Sequence, residues 1–435
     1  VMRGFHENYL QAARDYAEAG FYEEAAAILR ECTKPNALVK YYEAYYYNKL
    51  KLMDMEEETL KIAASMASDY CFPNKIEDIA ALNYVINENT SDYLAYYYLG
   101  NLFYDKKQYM AATKLWEKSR ELNNTFPTVH RNLALSYYNK MGDAKQARVA
   151  LEKAFELDTT DARVFLELDQ LYKKLGMGPE ERIANYNNYK DTFLKRDDLY
   201  IEYVTLLNFL GYYEKALEFI MQRKFHPWEG GEGKVTTQYT LSLVELSKVE
   251  YKKKEYNKAK EYLIRALSYP ANLGEGKLEG TKDNHIYYYL GCIYEVLKEA
   301  EEAVKCFTLA ALGEEEPAGM MYYNDQPADM ILYQGLAKLK LGEKGHANAR
   351  FYKLLDYGEK HIFDKMSVEY FAVSLPDFLI FNDDLDLRNQ AHCQFLIGLG
   401  RLGLEDLEGA KTAFHKALES DQYHMGSVLQ LNHMV

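Results

Sequence analysis

A self-similar pattern of small and large residues recurs along this 435-residue chain with a period of about 34 residues, and this periodicity constrains the fold more than any other feature. In each copy two helix-forming stretches follow one another, with Ala or Gly where helices must approach closely and aromatic or large aliphatic residues in the remaining packing positions. The clearest copy contains Tyr96, Leu99, Gly100, Phe103, Tyr109, Ala112 and Trp116. Further copies are anchored on Ala134, Ala154, Gly211, Ala216, Ala259, Gly291, Phe307, Gly342, Phe351, Ala410 and Phe414.

This spacing is typical of the tetratricopeptide repeat (TPR), a pair of antiparallel helices that buries its apolar stripe only against neighbouring pairs. The sequence therefore predicts an all-α protein, a right-handed superhelical solenoid of about ten TPR helix-turn-helix repeats. We expect one continuous solenoid with diverged TPR-like helices at 1–89, regular repeats at 90–225, and repeats with long inter-repeat loops at 226–435.

Charge and cysteine content exclude several classes of function. The formal net charge of -14 argues against attraction to nucleic acid or to an anionic membrane surface. The five cysteines include no CxxC pair and are odd in number, so we expect no disulfide framework, no thiolate metal site and a reducing, cytoplasmic setting. No run of about 18 apolar residues could span a bilayer. The helical pattern starts directly at Val1, so we expect a further segment to precede it in the full polypeptide.

The inner face of such an array, formed by the first helix of each repeat, is the default binding groove. Repeat position predicts that this concave groove receives Asn101, Tyr104, Arg131, Tyr138, Asn139, Lys248, Tyr251 and Glu295. Asn101 with Arg131 resembles the carboxylate clamp with which some TPR domains hold a peptide C-terminus. A second basic residue of such a clamp is not evident, and the alternative for Arg131 is a solvated surface charge.

Four segments depart from the repeat, at 225–235, 272–284, 314–327 and 371–387. Each follows the second helix of a repeat, so all four are expected on one edge of the array. The predicted loop-edge site, for a ligand or a neighbouring domain, consists of His226, Trp228, Glu229, Glu232, Lys234, Tyr323, Asn324, Asp325 and Asp377. Aromatic rings with carboxylates and amides suit a polar ligand such as a carbohydrate.

The alternative for these loops is structural, because turns and helix caps are normally rich in Gly, Pro, Asp and Asn. Trp228 is the exception, since it lies among Gly and Glu outside any packing position and is expected to cover something. His226 could serve as a ligand or an acid-base group, but a single loop histidine is more often structural. No HExxH, Walker A or GxSxG motif occurs, so we expect no metal, no cofactor and no enzyme activity from this chain alone.

Three strings make the sequence resemble a known family: "RKFHPWEGGEGKV", "EPAGMMYYNDQP" and "YFAVSLPDFLIFNDDLDLRNQAHC". They are similar to the C-terminal TPR region of large bacterial proteins that carry an N-terminal β-rich domain of unknown function. The resemblance implies a cytoplasmic bacterial protein in which the helical array packs on that domain. Residues 35–89, which match the repeat poorly, are either the contact surface for it or diverged repeats.

Two functions follow from these observations. The first is a scaffold for protein-protein or interdomain interaction, whose partner is the N-terminal domain of the same polypeptide or an external protein. The second is the helical part of a carbohydrate-binding or carbohydrate-active enzyme, with the inter-repeat loops completing a glycan site together with the β-domain.

Overall fold

The computed structural model describes residues 2–228, 230–320, 326–367 and 380–434. All regular secondary structure in these ranges is helical, as the sequence predicted. The chain forms two compact units, Val1–Val164 and Phe165–Val435, here called the first and second unit. The subdivision predicted from repeat quality, at residues 89 and 225, stays a prediction.

The first unit contains four helix hairpins, α1–α2, α3–α4, α6–α7 and α8–α9, with the single helix α5 between the second and third. The extra helix explains why residues 35–89 match the repeat poorly. The helices are α1 (His6–Glu18), α2 (Tyr22–Arg30), α3 (Ala37–Lys49), α4 (Met53–Ala64), α5 (Glu77–Glu88), α6 (Tyr93–Asp105), α7 (Tyr109–Leu122), α8 (Pro127–Asn139) and α9 (Ala144–Leu157).

The second unit contains six hairpins and ends on a helix of its own, α23; helix α10 begins just before the unit boundary. Its helices are α10 (Ala162–Lys174), α11 (Pro179–Asn188), α12 (Lys190–Phe193), α13 (Asp197–Phe209), α14 (Tyr213–Gln222), α15 (Lys234–Lys252), α16 (Tyr256–Ala266), α17 (Asn284–Val296), α18 (Ala300–Ala310), α19 (Met330–Lys340), α20 (Lys344–His361), α21 (Leu385–Gly403), α22 (Leu407–Ser420) and α23 (Met425–Met434). A short 3-10 helix, Ala271–Leu273, precedes α17.

One packing position recurs in both units. A glycine in the first helix of a hairpin lies against an aromatic ring sixteen residues later in the second helix. The pairs are Gly100 with Trp116, Gly291 with Phe307, Gly335 with Phe351 and Gly398 with Phe414. A Cβ added at Gly100 or Gly291 would lie 2.5 Å from the facing ring, so the close approach of the helices requires the missing side chain.

The turn inside each hairpin also repeats. Each of the ten turns contains one residue in the left-handed region, with φ between 59° and 84°. Glycine takes this position without steric cost, whereas Lys and Glu adopt it under strain. These residues are Gly20, Lys51, Lys107, Gly142, Gly176, Gly211, Lys254, Lys298, Gly342 and Glu405. Sharp, uniform turns keep the two helices of every repeat in the same register.

A buried aspartate holds the start of the first unit together. The Asp78 carboxylate is fully buried and accepts hydrogen bonds from Arg14 Nη2 at 2.8 Å, Tyr42 Oη at 2.7 Å, and the backbone amides of Asn74 and Lys75 at 2.8 and 2.9 Å. The network joins α1, α3 and α5. Four donors compensate the lost hydration of the carboxylate, which is the condition for burying a charge.

Candidate functional site: the inner wall of the second unit

The C-terminal segment from Tyr423 to His433, which includes α23, contacts first helices of the repeats in the second unit. The surface that this segment contacts, formed by Lys173, Phe209, Glu245, Lys248 and Phe395, is called the inner wall below. These residues belong to α10, α13, α15 and α21, so one short segment reaches back to helices that precede it by up to 250 residues in the chain.

Tyr423, just before α23, is the aromatic anchor of this contact. Its hydroxyl donates to the carbonyl oxygen of Met177, and its ring centroid lies 5.3 Å from that of Phe209. The Arg182 guanidinium lies 4.7 Å from the Tyr423 centroid and the Lys173 ammonium 5.6 Å from it. Two cations and one ring thus surround a single tyrosine, which is a favourable arrangement for an aromatic face.

Arg182 is itself fixed by a buried carboxylate. Its Nε lies 2.9 Å and its Nη2 2.6 Å from the two oxygens of Asp169, and the Tyr186 hydroxyl donates to Asp169 at 2.9 Å. Both charged side chains are almost fully buried. The bidentate pairing holds the guanidinium plane in the orientation that faces Tyr423.

At the far end of α23, His433 meets a buried ion pair. The Glu245 carboxylate lies 2.8 Å from His433 Nε2 and 2.7 Å from Lys248 Nζ. Because a carboxylate only accepts, His433 Nε2 must carry a proton. Burial by itself raises the pKa of Glu245, but the hydrogen bond from His433 and the charge of Lys248 outweigh it and lower the pKa. Lys248 also lies 4.8 Å from the ring centroid of Tyr289.

Sequence reasoning missed a row of polar residues on the first helices of the second unit. When the repeats are aligned on the packing glycines Gly291, Gly335 and Gly398, the position six residues before the glycine holds a polar residue in each of them. These residues are His285 in α17, Asp329 immediately before α19 and His392 in α21. Burial lowers the pKa of His285 to about 3, so its imidazole is neutral at pH 7. The corresponding residue in α6 of the first unit is the buried Leu94. Comparing this position across the copies is the signal that would have revealed the row.

The predicted groove residues are divided between the two units. In the second unit Lys248 lies on the inner wall, while Tyr251 is exposed and meets Tyr256 edge to face with ring centroids 5.3 Å apart. Glu295 is paired with Lys340.

In the first unit the predicted groove residues are engaged within the chain. The Asn101 side-chain oxygen accepts from Trp116 Nε1 at 3.0 Å and from Asn132 at 3.1 Å. The Tyr104 ring lies 5.1 Å from that of Trp116. The other three are half-buried and make interactions of their own: Arg131, Tyr138 and Asn139.

The first two predicted loops pack on each other. The Phe225 amide donates to the Asn272 carbonyl at 2.8 Å, and the Gly233 amide donates to the Glu275 carboxylate at 2.9 Å. The indole of Trp228 covers Gly231, which belongs to the same loop as the tryptophan. These contacts join segments 225–235 and 272–284.

The remaining loop-edge residues in the described ranges have separate positions. His226 is exposed, with its amide donating to Asp197 at 3.0 Å and its Nδ1 3.5 Å from the same carboxylate. Glu232 is exposed. Lys234 is the first residue of α15 and makes an interaction within the chain. Glu229, Tyr323, Asn324, Asp325 and Asp377 lie outside the described residues. Their convergence into one site stays a prediction.

In the described ranges, no group of three or more His, Cys, Asp or Glu side chains could hold a metal ion. No helix in the same ranges combines the length and the apolar character needed to cross a bilayer.

No protein-family model matches the sequence. Among solved structures, the chain is similar to YrrB, described as a TPR protein with an unusual peptide-binding site, at 19% identity over 43% of this chain and 92% of that one, with a TM-score of 0.32. It is also similar to TTC0263, a TPR protein of Thermus thermophilus, at 16% identity over 47% and 99% of the chains, with a TM-score of 0.27. MamA gives 16% identity over 41% and 93%, with a TM-score of 0.27. Likenesses this weak carry no argument about function, and the TPR-type fold rests on the helix pairs themselves.

Proposed function

We propose that this chain is a protein-interaction scaffold and that the inner wall of the second unit binds a helical segment of a partner protein. One observation carries the proposal: the wall already holds the segment of α23, through Tyr423 just before the helix and through His433 near its C-terminal end. A surface that fits one helix, with an aromatic anchor before it and a charged pair at its end, suits recognition of an amphipathic helix in a groove.

The contacts specify the chemistry of that partner helix. An aromatic residue would lie between Arg182, Lys173 and Phe209, where Tyr423 lies now. A basic residue would reach Glu245, which His433 contacts now. Tyr423 lies two residues before α23, and His433 is the penultimate residue of that helix. We therefore expect partners with an aromatic residue just before a helix and a basic residue near its C-terminal end.

Helix α23 is held less completely than the helices of the hairpins. Of its side chains only Ser427 is buried, whereas α21 buries ten residues. Because burial of apolar surface provides most of the stabilisation of a packed helix, α23 has the weakest hold on the unit among its long helices. A helix bound in this way can exchange with a partner helix of similar chemistry at modest cost.

The identity of the partner and the cellular setting are proposed from the sequence. The three strings that resemble a bacterial family support a β-rich N-terminal domain of the same polypeptide as one partner of the scaffold. The five free cysteines, four of them buried, support a reducing cytoplasmic setting. The carbohydrate alternative remains a prediction, because the described contacts of Trp228 and Glu275 are made within the loops.

A peptide competition tests the proposal. A labelled peptide of residues 420–434 is titrated into the full chain and into the full chain carrying Tyr423→Ala and His433→Ala, which loosen α23. In the unaltered chain, the tethered α23 competes with the peptide for the wall at an effective concentration of about 1 mM. We therefore expect the unaltered chain to bind little peptide, and the loosened chain to bind it at least about tenfold more tightly. Fluorescence anisotropy measures both affinities.

The matched controls are Tyr212→Ala in the chain, which removes an exposed tyrosine, and Tyr423→Ala in the peptide. The first should leave peptide binding at the level of the unaltered chain, and the second should abolish binding to the loosened chain. Equal binding of the peptide to both chains, or to neither, would contradict the proposal.

A further inference from the structure

A cavity of about 270 Å³ lies in the second unit beside α21. Its lining includes Asp329, His392, Phe395 and His424, together with Ala318. The volume is well above the roughly 10–15 Å³ that a single water molecule requires, so the cavity has room for a small organic group.

The Asp329 carboxyl is the acidic group of this lining. Among the described residues the only hydrogen bond to the carboxyl comes from its own backbone amide, and no cationic side chain faces it. Burial raises its pKa to about 6, so the carboxyl is largely ionised at pH 7.5 with its charge uncompensated. Asp329 is half-buried, and a carboxylate that has lost part of its hydration without gaining a counter-charge favours binding of a cationic ligand.

The two histidines add one acceptor and one donor. His392 Nε2 lies 3.0 Å from the Ala318 carbonyl oxygen, which can only accept, so Nε2 donates and Nδ1 presents its lone pair. His424 Nδ1 accepts from the Ser427 amide at 3.2 Å, so the proton of that imidazole is on Nε2. Burial lowers the pKa of both, to about 4 for His424, and keeps the two rings neutral.

Phe395 supplies an aromatic surface next to these groups. Its ring centroid lies 4.8 Å from that of His424, and the residue is almost fully buried. A carboxylate, an imidazole lone pair and an aromatic ring together match a primary ammonium group, which offers three donors, one positive charge and an alkyl stem. An anion would be repelled by Asp329, and a neutral alcohol would leave its charge uncompensated.

We propose that the cavity formed by Asp329, His392, Phe395 and His424 binds the primary ammonium group of a small alkylamine or of a lysine side chain. The Asp329 carboxylate pairs with the ammonium, His392 Nδ1 accepts one of its protons, and the alkyl stem packs on Phe395. Phe395 and His424 also meet at the inner wall, but the site goes beyond helix binding because its ligand is an ammonium group.

Calorimetric titration of the full chain at pH 7.5 with butylammonium and with butanol tests the site, because the two probes differ in the charged group. We expect saturable binding of butylammonium at least about tenfold tighter than butanol, and a preference of no more than about twofold in the Asp329→Asn variant. Asp356→Asn, an exposed aspartate, is the matched control and should keep the full preference.

NMR of the imidazole C–H signals tests the location: the signals of His392 and His424 should shift on addition of the amine, while those of the exposed His226 should not.

A tripeptide with a central lysine, compared with one containing norleucine, distinguishes the two sources of the ammonium group. Tighter binding of the lysine peptide than of butylammonium indicates a protein-borne amine, and the reverse indicates a free one. The absence of amine preference in the unaltered chain, or its persistence in Asp329→Asn, would overturn the proposal.

Discussion

One aspartate of each unit, Asp78 in the first and Asp329 in the second, is removed from water in a different way. In the first unit Asp78 accepts four hydrogen bonds, one of them from the guanidinium of Arg14. In the second unit Asp329 receives only that of its own amide among the described residues. Since every charge taken out of water must be compensated, the first carboxylate is explained by stability and the second is not. The same repeat framework thus supports compensated carboxylates, Asp78 and also Asp169 of the second unit, and an uncompensated one, Asp329.

The largest effect is expected where the charge is fully compensated. Replacing Asp78 by Asn removes the charge that pairs with Arg14 and leaves a buried guanidinium, so the free energy of unfolding should fall by about 3–5 kcal/mol. Urea unfolding followed by circular dichroism measures this loss, and hydrogen exchange localises it to the first unit. The exposed Asp69→Asn is the control. A loss below about 1 kcal/mol would show that the network contributes little to stability.

A smaller and equal effect is expected at the packing position that the units share. Gly100→Ala and Gly291→Ala each place a methyl group 2.5 Å from a ring, which outweighs the gain in helix propensity. Each variant should lose about 1–2 kcal/mol of unfolding free energy. Urea unfolding of both variants tests whether the framework is equivalent in the two units, and a loss confined to one of them would break that equivalence.

An effect of similar size but opposite sign, confined to high pH, is expected at Asp329. Its pKa is about 6 in the folded protein and 3.8 in the reference state, so the folded form holds its proton more tightly and stability falls as pH rises from about 4 to 6. Asp329→Asn avoids this loss and should be more stable than the unaltered protein by about 1–2 kcal/mol at pH 8, with little difference at pH 4.

Urea unfolding across that pH range measures the difference at Asp329. If Asn destabilises the protein at pH 8, the carboxylate has a structural partner, and the contrast with Asp78 disappears.

The fold could be predicted from the sequence because packing repeats. Gly100 and Trp116, or Gly291 and Phe307, keep the same spacing in copies whose other residues differ, and this regularity is visible without coordinates. The irregular helix α5 has no such repeat partner, so its place in the first unit could not be read from the pattern.

The candidate site was harder to predict for two physical reasons. The contacts of Tyr423 with Met177 and of His433 with Glu245 join residues far apart in sequence, and periodicity describes only neighbouring repeats. Lys248 was predicted as a groove residue from its repeat position and lies on the inner wall, but His433, which shares the Glu245 carboxylate with it, gave no local signal. The row of His285, Asp329 and His392 was readable in principle, because all three occupy one repeat position.

The return of α23 to α10–α15 has a consequence for how the second unit folds. A linear stack of repeats can nucleate anywhere and can fray from either end, because each pair touches only its neighbours. Here Tyr423, just before the last helix, contacts Lys173 and Met177 near the start of the unit, so closing the unit brings together residues about 250 positions apart and raises its contact order. We expect this closure to be the slow final step of folding, and the two ends of the unit to open together rather than one repeat at a time.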